Sequence, residues 1–214
     1  MSLPDYNFAS QIVIILAFAM IGGGLKYIDD AFDEDLFSKK KAISIAPILV
    51  IIAVILAIKD TAAQTILFSI LLSVLIGGKV DNLIFKLSSI AFLLLLSLPS
   101  FCFYGTLNFL WVPLFIITIS GIIDEKGNDY VDENKTNKLT YFFFEHRFSM
   151  KIGILTVCAF QFLTWLYLFA FLAFDGAYES IRIFGYLCRS DKFRFQREKI
   201  QKFVSVNHKN SQMG

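Results

Sequence analysis

The stretch IGGGLKYIDDAFDEDLFSKKK, residues 21 to 41, decides how the chain is read. It joins an apolar run to five acids within seven residues, and then to three lysines. Upstream, residues 8–27 supply about the 20 apolar positions that a helix needs to cross a bilayer. A second apolar run starts at about residue 42. The charged segment is therefore expected to be a loop at a membrane surface, with a span on either side.

The rest of the chain repeats the pattern. Hydropathy predicts further spans at about 62–78, 87–104 and 107–123. Lys59-Asp60 separates the second from the third, and Pro99, Gly105 and Asn108 mark the turn between the fourth and fifth. Of 214 residues, 56% are hydrophobic and 24 are Phe, with a mean hydropathy of +0.63. A soluble domain with an ordinary surface does not carry that composition. The runs lack the alternation of an outer-membrane barrel. The fold class is thus expected to be all-α, a polytopic transmembrane bundle.

Residues 124–147 form a polar loop, and 148–188 reads in two ways. It is either one long helix, for six spans in all, or two short spans turning near Thr164-Trp165-Leu166-Tyr167, for seven. Charge arbitrates, because Lys and Arg collect in cytoplasmic loops. Segments 25–41, 79–86 and 124–151 hold every loop Lys and Arg except Lys59. Seven spans put the basic tail on the same side, with the N-terminus outside and the C-terminus cytoplasmic. Residues 1–188 then form the transmembrane domain and 189–214 a cytoplasmic tail attracted to anionic lipid. A nucleic-acid partner is not expected.

Other signals are negative. MSLPDYNF has no basic region, so the first span is expected to be retained. Cys102, Cys158 and Cys188 show no paired spacing, and two distant histidines argue against a zinc site. The sequon at Asn134 falls on the cytoplasmic side.

Spans one, three and five end alike. Gly22-Gly23-Gly24 precedes Asp29-Asp30, Gly77-Gly78 precedes Asp81, and Gly121 precedes Asp124. Glycine lets helix backbones approach, so three exits can meet and bring their carboxylates into a ring. Such a ring needs lysine partners or a bound cation, and Mg²⁺ shared with a phosphate is the usual chemistry. Asp30, Asp33, Asp81, Asp124 and Asp129 are the candidate metal ligands, and Lys26, Lys79 and Lys126 the candidate phosphate contacts. The alternative is that these are solvated loop charges, balanced by neighbours such as Lys39, Lys40 and Lys41.

Asp29-Asp30-Ala31-Phe32-Asp33 and Glu125 to Asp129 resemble the N-D-x-x-D-x-x-x-D and D-x-x-x-D motifs of the UbiA family of intramembrane prenyltransferases. The last acid of the first motif would fall at Phe37, and the family usually has nine spans. The resemblance implies a prenyl diphosphate held by Mg²⁺ between Asp30, Asp33 and Asp129, with Lys79 or Lys126 stabilising the departing charge. Gly77-Gly78-Lys79-Val80-Asp81 is similar to the G-x-G-D motif of intramembrane aspartyl proteases, with one residue extra. That would pair Asp30 with Asp81. The chain as a whole also resembles small archaeal multi-pass membrane proteins.

The expectation is a Mg²⁺-dependent membrane protein acting on a polyprenyl or lipid phosphate at the cytoplasmic face. A cation-coupled transporter or a non-catalytic membrane subunit is the alternative. Asp175, Glu179 and Arg182 follow i, i+4, i+7 spacing and share one helix face. A span starting near Leu166 puts Asp175 about 13 Å along its axis, near mid-bilayer. This face is expected to line a cavity beneath Asp30 and Asp81, or else to hold a buried Glu179–Arg182 pair.

Overall fold

The computed structural model describes residues 6–80, 82–103 and 108–211, with side chains described for 6–80, 82–98 and 108–189. Among these the chain is all α-helical, with no strand. The helices are α1 (Phe8–Phe32), α2 (Lys39–Lys59), α3 (Thr61–Gly77), α4 (Leu83–Phe103), α5 (Trp111–Glu133), α6 (Lys138–Glu145), α7 (Phe148–Ala159) and α8 (Trp165–Ser211). By length and composition α1 and α2 can cross a membrane; Thr61–Gly77, Leu83–Leu98 and Phe148–Ala159 are apolar but shorter.

Local chemistry sets the boundaries. Asn7 caps α1 by accepting from the Ser10 N–H at 2.8 Å. One residue, Asp60, ends α2 in extended backbone and starts α3, its carboxylate accepting from the Ala62 and Ala63 N–H groups. Those donors would otherwise lack partners at a helix start. Gly78 closes α3 at φ 77°, the left-handed conformation that glycine adopts without strain. The region 148–188 breaks at 160–164, where Gln161 takes φ 60°, a few residues before the expected turn.

One expectation about the polar parts needs correcting. The 124–147 loop is mostly helix, because α5 continues ten residues beyond Ile123 and α6 follows after a short turn. The basic tail from residue 189 continues α8 without a break to Ser211. Helix α4 runs past Pro99 to Phe103, close to the expected end of the fourth span.

Glycine explains how the chain passes through residues 21–41. The α1–α8 pair is the most extensive contact in the bundle. A Cβ on Gly22 would overlap the Phe174 backbone, and one on Gly23 would touch Ala177 at 3.5 Å. Farther along, one on Gly185 would stand 3.1 Å from Asp30 Oδ2, so α1 and α8 run parallel at close range. Small residues are what permit such backbone approach. Gly121 plays the same part where α5 meets Ser73 and Met150.

The two ends of the bundle differ chemically. At one end Tyr6, the α2–α3 junction and the start of α8 meet on Asp60, which accepts from Tyr6 Oη at 2.7 Å and from Tyr167 Oη. The start of α5 joins them through Leu110 N, which donates to Thr65 Oγ1 at 3.2 Å. At the other end lie the acids and bases of 26–34, 79, 124–151 and 175–189. Outer faces are apolar: Leu16, Ile51, Leu94, Ile119 and Phe169 are each more than half exposed.

Candidate functional site

A cavity of about 590 Å³ lies between α1, α2, α3, α4, α5 and α8. Its depth is walled by Ile21, Ala53, Leu67, Leu71 and Phe92, while its other end carries charge. Among the described residues that end holds Lys26, Lys79, Arg147 and Arg182 with Asp29, Asp33, Glu34, Glu125, Asp132 and Glu145. An apolar depth with a few convergent polar groups is the usual form of a ligand site.

Tyr178 organises the charged end. Arg147 stacks on its ring with Cζ 4.6 Å from the centroid, and Lys26 Nζ lies 5.4 Å from it. Arg147 Nη2 also donates to Tyr178 Oη at 3.3 Å and meets Glu125 Oε1 at 3.3 Å. The Arg147 backbone is left-handed, at φ 51°. A non-glycine residue in that conformation is held there by its surroundings, a form of strain that clusters at ligand sites.

Among the described residues, the predicted metal ligands are not brought together into a ring. Asp30 is buried against Lys26 Nζ at 2.9 Å, which Asp29 shares at 2.7 Å. Asp124 accepts from the Ser149 and Met150 N–H groups at 2.9 and 2.7 Å, capping α7 from a neighbouring helix. Arg147, at the N-cap position itself, provides no side-chain cap. Burial pushes the Asp124 carboxyl above its ordinary value, against the pull of those donors. Asp129 pairs with Lys79. Burial opposes the Lys79 charge, but the hydrogen bond and attraction of Asp129 outweigh it and raise its pKa. Asp33 lines the cavity, and Asp81 lies outside the described residues.

Among the described residues no three His, Cys, Asp or Glu side chains converge as a metal requires. The described carboxylates thus offer no three-ligand cage, whereas Mg²⁺ shared with a phosphate needs only one or two of them. The two described exits aim their carboxylates at different partners, Asp30 at Lys26 and Asp124 at the start of α7. The proposed Asp30–Asp81 dyad has one member on Lys26 and the other outside the described residues. Of the expected phosphate contacts, Lys26 and Lys79 line the cavity, whereas Lys126 is exposed on α5 away from it.

On α8 the cavity is lined by Phe174, Tyr178, Arg182 and Tyr186, one face over from Asp175 and Glu179. Asp175 is buried against Lys151 Nζ of α7 at 2.8 Å. Because Lys151 sits in the first turn of α7, Asp175 is neutralised close to the charged end rather than isolated in an apolar layer. Arg182 bonds Glu179 and Glu145, each at 2.6 Å. Sequence reasoning missed Arg147, Glu125, Glu145 and Tyr178 as members of one cluster. Tyr178 lies between Asp175 and Glu179, but an aromatic among charges carries no signal until a cation is seen on its ring.

Residues 7–61 match a family model described as a protein of unknown function (DUF3098). The match spans α1, α2 and the Asp60 junction, about a quarter of the chain. It includes Lys26, Asp29 and Asp30 but none of their partners on α8. No curated protein and no solved structure shows detectable similarity.

Proposed function

We propose that the chain is a polytopic membrane protein that holds a lipid phosphate, of the polyprenyl or a related class, in this cavity. The observation that carries the reading is one cavity with a charged end and an apolar depth, inside a bundle whose outer faces are also apolar. Exposed apolar surface on that scale needs lipid or a partner to cover it. The alternation of helix ends supports seven crossings, with the charged end and the basic tail cytoplasmic and the Tyr6–Asp60–Tyr167 end outside. On a cysteine-free background, a cysteine at Thr61 is expected to react with an impermeant thiol reagent added to intact cells, and one at Asn134 to be spared. The reverse pattern overturns the orientation.

The phosphate would sit by Arg147, Lys26 and Arg182, with its chain against Leu71 and Phe92. Asp30 and Asp129 are each tied to a lysine, which favours holding a lipid phosphate over ionising one. Mg²⁺ enters only as the ligand's own counter-ion. Among the described residues the six acids of the wall outnumber its four bases, so a prenyl diphosphate is expected to bind more tightly with Mg²⁺ than without.

The test is binding of a polyprenyl phosphate to the purified protein in nanodiscs, compared with the neutral polyprenol. The alcohol is expected to bind at least about tenfold more weakly, or about 1.4 kcal/mol. Arg147→Gln combined with Glu125→Gln, which leaves no unpaired charge, should remove most of that discrimination. Equal affinity for phosphate and alcohol in the wild type overturns the reading. The excess of acids favours one other reading, a cation-coupled carrier, which predicts saturable cation binding that the lipid phosphate does not affect.

A further inference from the structure

We propose that the seam between α2 and α4 is a lateral portal through which the hydrocarbon tail of the bound lipid passes from the cavity into the bilayer. This rests on the lipid-phosphate reading above. A second space, an apolar groove of about 320 Å³, lies on the outer side of that seam. Among the described residues its lining comes from the two helices, with Ile43, Pro47 and Ile51 on one side and Leu87, Ala91 and Leu95 on the other.

Ala46, Val50 and Ser88 line both the groove and the large cavity. The two spaces are therefore separated by one layer of small or medium side chains. Pro47 stands beside that layer and brings no N–H to the Ile43 carbonyl, so α2 is least tied at the point where it would yield. Ile43, Ile51 and Leu87 are half exposed along the groove and would face lipid under the proposed topology.

Volume supplies the reason for an exit. Taking a carbon as about the size of a water, with about 30 Å³ of liquid volume each, the cavity accommodates about 20 heavy atoms. A phosphate and the first carbons of its chain use that space, and the rest of a long tail must leave through a wall. The groove covers residues 43–51 of α2, about 12 Å along the helix, starting near the charged end. A tail emerging there continues among the bilayer chains while its headgroup stays with Arg147.

The experiment locks the seam. Ile51→Cys and Ala91→Cys, at positions that line the groove and not the cavity, would be introduced with the native cysteines replaced by alanine and joined by a short reducible thiol cross-linker. Two probes are compared: a long-chain polyprenyl phosphate supplied in nanodiscs, and geranyl phosphate supplied from water. Cross-linking is expected to slow uptake of the long-chain probe at least about tenfold, reversibly on reduction, and to leave geranyl phosphate binding unchanged. Ala91→Trp, which plugs the groove without a cross-link, should act in the same way. Undiminished long-chain uptake in both the locked and the plugged protein overturns the portal while leaving the cavity reading intact. If neither probe binds the unlocked protein, the cavity reading fails and the portal with it.

Discussion

Replacing Gly22 by leucine is expected to destabilise the protein by about 3 kcal/mol or more, because the added side chain has nowhere to go. The atom in its way is the Phe174 backbone of α8, which cannot turn aside as a side chain does. To admit it α1 and α8 must separate along their whole length, and that moves Asp30 from its place beside Gly185. Thermal unfolding in detergent measures the loss. A contrasting substitution lies in the same contact helix. Gly176 is exposed, with open space within 4 Å of where a Cβ would stand and no left-handed backbone. Gly176→Ala is therefore expected to be neutral or to stabilise by about 0.5–1 kcal/mol, since glycine costs that much inside a helix. Equal effects at the two positions would mean that α1 and α8 do not pack as described.

The second large effect is expected at Asp60. Its buried carboxylate accepts from two hydroxyls and two backbone N–H groups, and so joins the segment before α1 to α2, α3 and α8 at one point. Asp60→Ala removes the α3 cap, typically worth about 1 kcal/mol, and strands the fully buried Tyr167 hydroxyl at about 1–3 kcal/mol. A loss of about 3 kcal/mol should result, against about 1 kcal/mol for Tyr6→Phe, which leaves the acceptor in place.

The Tyr6 contribution carries a pH signature. Burial and then the hydrogen bond to Asp60 push its pKa up to about 12 from 10.0. A group whose proton is held more tightly in the folded state stabilises fully below its unfolded pKa and loses that contribution above it. The stability difference between wild type and Tyr6→Phe should therefore be constant to about pH 10 and shrink as the pH rises towards 12. A difference that is flat through that range would show that Tyr6 does not donate to Asp60.

Much of the fold was legible because its signals are local. Apolar runs of bilayer length, the charge-rich joints between them and the break at Lys59-Asp60 depend on residues within a turn or two of each other. Helix α5 escaped notice beyond Ile123 because the charged residues that follow suit a solvated helix as well as a loop. The candidate site was less legible. Lys26 and Lys79 stand out by their position beside the glycines. Asp124 looks like a metal ligand in sequence, whereas it caps a helix that starts 24 residues later, and no spacing rule reports that partner.

By itself, then, the sequence determined the helical class, the helix joints and the collection of charge at one end. Each of these follows from composition and short-range patterning along the chain. Only the tertiary structure decided which acid meets which base and which face of each helix lines the cavity. The physical reason is rotation. A helix that is apolar on nearly every side has no wet face to set its orientation about its own axis. Orientation is left to contacts between distant segments, such as Gly22 against Phe174 and Arg147 against Tyr178. Of the expected Asp175–Glu179–Arg182 face only Arg182 lines the cavity, beside Phe174 and Tyr178 one position of rotation away.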